Sequence, residues 1–460
     1  MVRASLKAEQ AGVPSVSIVS TAFRRQAEFV ARGLGLSEAS IAEYPGVIPT
    51  DSRETFLAKS RTVLVDAIIK SLGHQAHAVA RPVEPEPRDI VFRGDLDEVQ
   101  AHFHQQRWSD GLPIVPPTIE RVEQFLRFTD RRPEEVLGAL LPENRQATIW
   151  NIAVNGVMAG CRPEYMPILV AAVEAISEPE FRIEDAGSTP GWEPLVIVSG
   201  PLVRELDFNS ETGAMRIGRQ ANSSIGRFLR MYFRNIAGLR PAPEGGDKGT
   251  LGYTFNVALA ENEEAVRQMG WPTFGVDRGF GDGENVVTVQ SVVAISNPIY
   301  SEGATAGEHA ERLAAVMGDT CRYWSYTGMK YGKWHPLLVM SPSIAAVFAR
   351  DEWTKAELRE YVHKTVRAPA RSLEGYGSAT KIDLYALAQE GQLPRAYGES
   401  RDPERLVPIF PWKESIGIVV AGDPGRNQSK CYVGNHQQGA PVSKRVQLPR
   451  AWEALREGRG

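Results

Sequence analysis

The chain alternates between short apolar runs and amphipathic stretches. Residues 14–20 (Pro-Ser-Val-Ser-Ile-Val-Ser) predict a β-branched strand. Helical spacing follows over 22–34, with Phe23, Ala27, Val30 and Leu34 on one side. It returns over 53–72, where Phe56, Val63, Ala67 and Ile68 form the apolar face. These elements describe a small α/β module over 1–80. Pro82, Pro85 and Pro87 stand among charges in the next stretch, and 81–94 reads as an extended linker beside His74 and His77.

The larger region, 95–449, opens with a helix over 96–106 and a stiff loop over 108–118 that contains Asp110, Gly111 and three prolines. Thr118 caps the helix that follows. Two apolar helical runs over 151–176 meet at Gly160-Cys161-Arg162-Pro163-Glu164-Tyr165. Residues 286–295 predict a strand, and 307–317 and 355–366 predict helices, the last with a Thr354–Glu357 capping box. Residues 372–405 are polar and turn-rich and are expected to wrap the surface.

The run Trp192-Glu193-Pro194-Leu195-Val196-Ile197-Val198-Ser199 resembles Trp334-His335-Pro336-Leu337-Leu338-Val339-Met340-Ser341. Each leads through a proline into a helical segment, and 416–422 is a further strand of this type. Such runs suggest an α/β, multi-domain chain with parallel or mixed sheets covered by helices. The pattern fits either internal duplication of a strand–helix unit or convergence of two common units. Division of the larger region into 95–305 and 306–449 follows from the duplication.

Composition is that of a globular protein, 42% apolar and 23% charged over 460 residues. A net charge of -4 argues against general nucleic-acid binding, although Arg216, Arg219, Arg227, Arg230 and Arg234 crowd one region. Three widely separated cysteines, Cys161, Cys321 and Cys431, argue against a disulfide framework and for a reducing, cytoplasmic location. No signal-peptide pattern opens the chain, and no apolar run approaches a membrane span.

The turn at 160–165 concentrates the candidate chemistry. Pro163 suits the first turn of a helix, which places Cys161 beside a helix N-terminus. The helix dipole and Arg162 would lower the thiol pKa there. Cys161, Glu164 and Tyr165 are therefore candidate catalytic groups, and Arg162 is a candidate anion ligand; the plainer reading of Cys161 is a small buried residue. Asn155, in an apolar helix, and Asp110, in the proline loop, are further substrate-binding candidates. So are Arg219 and Asn222, in a Gly-rich stretch (213–225) expected to precede a helix over 226–236. Walker A, dinucleotide-binding, nucleophile-elbow and zinc motifs are absent, so no metal ligand is assigned and the cofactor stays unknown. Glu261 to Glu264 reads as an acid–base supply or a solvated helix start.

Residues 11–72, opening Ala11-Gly12-Val13-Pro14-Ser15-Val16, resemble the part of the UGSC domain that follows its redox motif. That family places a Gly-Ser-Cys or selenocysteine motif before a helix and follows it with a Gly-(Ile/Val)-Pro strand. The selenoprotein B subunits of glycine reductase are similar in outline. Residues 95–449 resemble a larger region often associated with UGSC domains, through Asp110-Gly111-Leu112-Pro113, Pro116-Pro117-Thr118, 155–165, His335-Pro336-Leu337 and Trp353-x-Lys355. The resemblance implies thiol-linked redox or carbon–heteroatom bond chemistry. Its redox motif would lie upstream of residues 4–12, and no cysteine precedes Cys161. The motif is then lost, carried by a partner chain, or placed before the recorded start.

Three expectations follow. The first is an enzyme or enzyme subunit, oxidoreductase or lyase, acting on a small anionic metabolite, as a homo-oligomer or with a redox partner protein. The second is a non-catalytic or incomplete subunit that binds a partner carrying the redox motif. The third is a metal-dependent enzyme.

Overall fold

The computed structural model describes residues 2–36, 39–73, 85–185, 191–241, 245–247, 249, 251, 254–331, 335–374, 382–435 and 438–458, with side chains from 323 to 331 left aside. His74, His77, Trp334, the first part of the linker and residues 375–381 of the polar stretch lie outside them.

The N-terminal module pairs β1 (Ser17–Ser20) with β2 (Ile41–Tyr44) in parallel. The helices Val2–Gln10 and Arg24–Gly33 bury Leu6, Ala27 and Ala31 against Val19. The helix expected over 53–72 is present, interrupted by a π-turn at Ser60–Leu64. Its apolar face is only partly used: Leu64 is buried, and Ala67 and Ile68 pack beside it. Phe56, Leu57, Val63, Val65, Ile69 and Leu72 stay exposed. Gln26 Nε2 donates to Gly246 C=O at 2.8 Å and Arg3 pairs with Asp185 at 2.7 Å, tying the module to the larger region.

After a hairpin of β3 (Val136–Leu140) and β4 (Arg145–Thr148), the larger region builds one eight-stranded mixed sheet. Its strands are β5 (Glu193–Ser199), β6 (Leu259–Ala260), β7 (Val286–Ile295), β8 (Ile299–Tyr300) and β9 (Leu337–Met340). A separate pair, β10 (Arg367–Pro369) and β11 (Leu406–Pro408), precedes β12 (Gly417–Val420), β13 (Gln428–Gly434) and β14 (Val442–Arg445), which return to the sheet.

Strand order is β12-β9-β13-β7-β5-β6, a palindrome. β5 runs parallel to β6 and antiparallel to β7; β9 runs parallel to β12 and antiparallel to β13. The registers agree residue for residue. Leu195 faces Gln290 and Leu337 faces Tyr432, so each member of the second pair lies 142 positions after its counterpart. Val198 faces Ala260 as Met340 faces Val420. The fourth strands cross over: β8 pairs with β13, and β14 with β7. Two copies of a four-strand unit thus share one sheet, and the boundary expected at 305/306 falls between copies rather than between separate sheets.

Apolar runs are continuous because both faces of the sheet are covered. Val196, Val198, Leu338 and Met340 face the large helical core. Leu195, Ile197, Leu337 and Val339 face a smaller one with Phe274, Val419 and Tyr432. Just beyond β6, Asn262 N–H donates to Val420 C=O of β12 at 2.8 Å, so the two edges curl toward each other. Beneath that junction, Lys355 Nζ lies 3.1 Å from Asp277 and 3.6 Å from Glu261, all three essentially buried. The Thr354–Glu357 capping box forms as the sequence predicts.

Cys321 and Cys431, 110 residues apart, meet in the large core with thiols at 3.8 Å and no bond between them.

Candidate functional site

The helix Ile149–Met158 ends in a left-handed Gly160 (φ 78°), which no side-chain-bearing residue adopts cheaply. Gly160 N–H bonds to Val157 C=O and Cys161 N–H to Gly156 C=O, the pattern of a Schellman stop. The residue after such a glycine commonly packs back on the helix, and Cys161 fills that apolar position. Pro163–Tyr165 then forms a 3₁₀ turn leading into the helix Met166–Ser177.

Burial pushes the Cys161 thiol up to about 12, against the opposing influence of the Ser224 hydroxyl and the Arg227 charge. The expected lowering of its pKa is therefore reversed: Cys161 is enclosed in the core, and desolvation outweighs the helix end. Glu164 and Tyr165 are also buried, and burial holds the Tyr165 phenol at about 12. Arg162 ties both, with its Nε 3.2 Å from Glu164 and its guanidinium 4.9 Å from the Tyr165 ring centroid. Its side chain keeps 40% exposure, so it remains within reach of a solute.

The proline loop and the helix Gln220–Tyr232 close around this turn. Gln220 Nε2 donates to Gly160 C=O at 3.1 Å. Asp110 takes a two-pronged ion pair from Arg227, at 2.9 and 2.8 Å. Asn155 donates to Asn151 C=O, and its Oδ1 accepts from Asn235, which also donates to Trp108 C=O. Asp110, Asn155 and residues 161–165 are thus one neighbourhood.

Arg219 and Asn222 differ. The helix starts at Gln220, not 226, with Arg219 as its cap residue. Arg219 is engaged by Asp207 at 2.6 Å on the surface. Asn222 is fully buried and spends its amide on Asn209 N–H, Asn209 C=O and Ala258 C=O. These bonds dock the helix on the sheet and use both N–H groups of the Asn222 amide. Gly226 lets this docking be close: a Cβ there would stand 2.6 Å from the Asn256–Val257 backbone.

The same helix carries a second feature. Arg227 and Arg230 lie on it, and Arg234 follows in the π-turn Phe233–Ala237 that continues it, at three- and four-residue spacing. Arg227 is taken by Asp110. Arg230 Nη1 lies 3.0 Å from Glu193 Oε2 at the start of β5, a charge contact without the alignment of a hydrogen bond. Arg234 forms no ion pair among the described residues, and its Nε is buried without an acceptor. Burial, and the neighbouring Arg230 and Arg240, hold its guanidinium below the ordinary value, opposed by the charges of Asp110 and Asp247. Arg240 is paired with Glu143 at 3.1 Å. Burial pushes the Glu193 carboxyl up to about 8, opposed by Arg230 and reinforced by Asp247. The helical spacing of the arginines was readable in the sequence; Glu193 was hidden inside a strand motif.

Two surface cavities lie elsewhere. One of about 340 Å³ is bordered by Glu311, Asp319, Tyr361 and Arg367; the other, of about 430 Å³, by Arg371, Glu374, Tyr385 and Arg401. Neither touches the predicted residues. Among the described residues no three metal-binding side chains cluster, and no helix is long and apolar enough to cross a membrane.

Fold and site together define a mixed α/β chain with an arginine-rich polar junction at the edge of an internally repeated sheet. Residues 1–74 match the UGSC family model, so the N-terminal module is a UGSC-like domain. No curated protein matches the chain.

Proposed function

We propose that the chain is an enzyme, or an enzyme subunit, that binds a small anionic metabolite at the arginine row Arg227, Arg230 and Arg234. The observation that carries this reading is Arg234, a half-buried guanidinium beside two other arginines, with no ion-pair partner among the described residues. A partly desolvated guanidinium whose Nε lacks an acceptor favours an anion, and guanidinium geometry suits a carboxylate or oxyanion. Arg162, whose side chain keeps 40% exposure, is a further cation within reach of a solute. Cys161 serves packing, so thiol-linked redox or carbon–heteroatom chemistry would draw its thiol or selenol from another source.

The test is calorimetric titration of the full chain with sulfate and with succinate at pH 7. Arg230→Ala and Arg234→Ala are each expected to weaken binding at least tenfold, and Cys161→Ala to leave it unchanged. Unchanged affinity in both arginine variants would refute the assignment.

One observation favours the subunit form of this reading. The UGSC-like module has a two-stranded parallel sheet, a rare and weak arrangement. It also leaves Phe56, Leu57, Val63, Val65, Ile69 and Leu72 exposed. A partner chain carrying the redox motif would cover them. Co-purification of such a chain, lost in Ile69→Lys, supports this form; a monomeric chain with full activity excludes it.

A further inference from the structure

We propose that Glu193 is the resident carboxyl group of this anion site: an incoming carboxylate or oxyanion takes its place on Arg230, bridges to Arg234, and Glu193, wherever it is ionised, is neutralised by a proton from solvent. The inference rests on the anion-site reading above and adds its proton stoichiometry.

Four observations lead to it. The Glu193 side chain is 1% exposed, whereas that of Arg230 is 30% exposed, so a solute can approach the guanidinium from outside. The Arg230–Glu193 contact is a charge contact without a hydrogen bond, so little directional bonding is lost when the carboxylate leaves. Arg234 stands one helical turn further on with an unused Nε. Finally, a buried carboxylate deprived of its cation cannot stay charged; protonation costs far less than an unpaired interior charge.

Among the described residues, the charged groups that act on Glu193 are Arg230, from the helix, and Asp247, from the loop beyond it. Asp247 is itself an anion and opposes ionisation of Glu193 in both states. Behind them stand Arg234 and Arg240, the latter held by Glu143. Arginine stays protonated across the pH range of interest. Among the described residues of this junction, Glu193 is thus the group whose charge changes between pH 7 and 9.5, with its carboxyl at about 8 in the ligand-free chain. Below that value the carboxyl already carries its proton and the anion binds without proton exchange. Above it, each anion bound takes up one proton. Affinity then falls about tenfold per pH unit, because binding and proton uptake are linked one to one.

The probe is sulfate, which does not titrate in this range. Its affinity for the full chain would be measured by calorimetry from pH 6 to 9.5, with runs at pH 9 in buffers of different ionisation enthalpy. The expected result is a plateau below pH 8, a tenfold loss per unit above it, and uptake of about one proton per sulfate at pH 9. In Glu193→Gln the affinity is expected to stay at the plateau across the range, with no proton uptake. The buffer comparison on the unmodified chain decides the question even where Glu193→Gln folds poorly. Sulfate binding that is flat in pH and takes up no proton overturns the role of Glu193 and leaves the anion site standing. No sulfate binding at pH 7 overturns the anion site itself.

Discussion

Replacing Lys355 by Met removes one buried charge while keeping most of the stem. Lys355 Nζ lies 3.6 Å from Glu261 and 3.1 Å from Asp277, and Asp277 keeps a second cation, Arg359, at 2.9 Å. Glu261 has no such substitute: it is fully buried, and its other oxygen accepts Phe274 N–H at 2.6 Å. At an effective dielectric of about 20, the Lys355–Glu261 attraction is about 4–5 kcal/mol. Removing one partner of a buried pair typically costs about 3–5 kcal/mol. A loss of about 4 kcal/mol is therefore expected at pH 8.5. Burial pushes the Glu261 carboxyl up to about 7 from 4.5, with Lys355 opposing that rise. The folded chain thus holds a proton that the unfolded chain has released, and this carboxyl contributes less stability as pH rises from about 4.5 to 7. At pH 5.5 Glu261 is already neutral, the lost partner matters mainly to Asp277, and the cost should shrink to about 1–2 kcal/mol. The assay is the shift in urea midpoint at both pH values, read where variant and wild type share one slope. Lys355→Met with Glu261→Gln should recover most of the loss at pH 8.5, since a neutral amide still accepts Phe274 N–H. An equal cost at the two pH values, or no recovery in the double variant, would refute the reasoning.

The thiols supply a second prediction: all three cysteines are buried, so a thiol reagent at pH 8 should label none rapidly in the native chain and three after unfolding. Fast labelling of Cys161 would restore it as a nucleophile. Asp110→Ala should cost about 2–4 kcal/mol in a urea midpoint, because Arg227 would lose both bonds in a largely buried pair. Burial opposes the charge on Asp110, yet the Arg227 bonds and charge hold its carboxyl below the ordinary range. Its contribution is therefore full above the ordinary carboxylate range and lost as pH falls through the lowered value; an Asp110→Ala cost that does not diminish in acid would contradict this. Gly226→Ala should lower thermal stability by about 2–4 kcal/mol through the clash with the Asn256–Val257 backbone, while Gly279→Ala, with open space around it, strains only its left-handed φ.

Apolar periodicity located most elements because strands covered on both faces carry long β-branched runs. Residues 286–295 fall on β7 without a shift, and the Trp192/Trp334 likeness marks a repeat that the sheet registers follow residue by residue. The crossing of β8 and β14 between copies could not be read, since pairings of two and four residues leave no pattern. The candidate site was half legible. Asp110, Asn155 and residues 161–165 do share one neighbourhood, held by contacts of long sequence separation. Local cues report the helix end and not the burial that outweighs it, so of the two readings of the thiol the small buried residue fits the structure. Asn222 looked like a ligand for the same reason: its partners, Asn209 and Ala258, are distant in sequence. Glu193 was invisible as chemistry because a buried carboxylate in an apolar strand becomes notable only beside Arg230. The meeting of Cys321 and Cys431 was likewise unreadable from spacing.

The most direct test of the account is a crystal of the full chain soaked in selenate at pH 7, with data collected at the selenium edge. The account predicts an anomalous peak within hydrogen-bonding distance of both the Arg230 and Arg234 guanidinium groups, with the Glu193 carboxyl turned away from Arg230. A selenate peak elsewhere, with the Arg230–Glu193 contact intact, would contradict it.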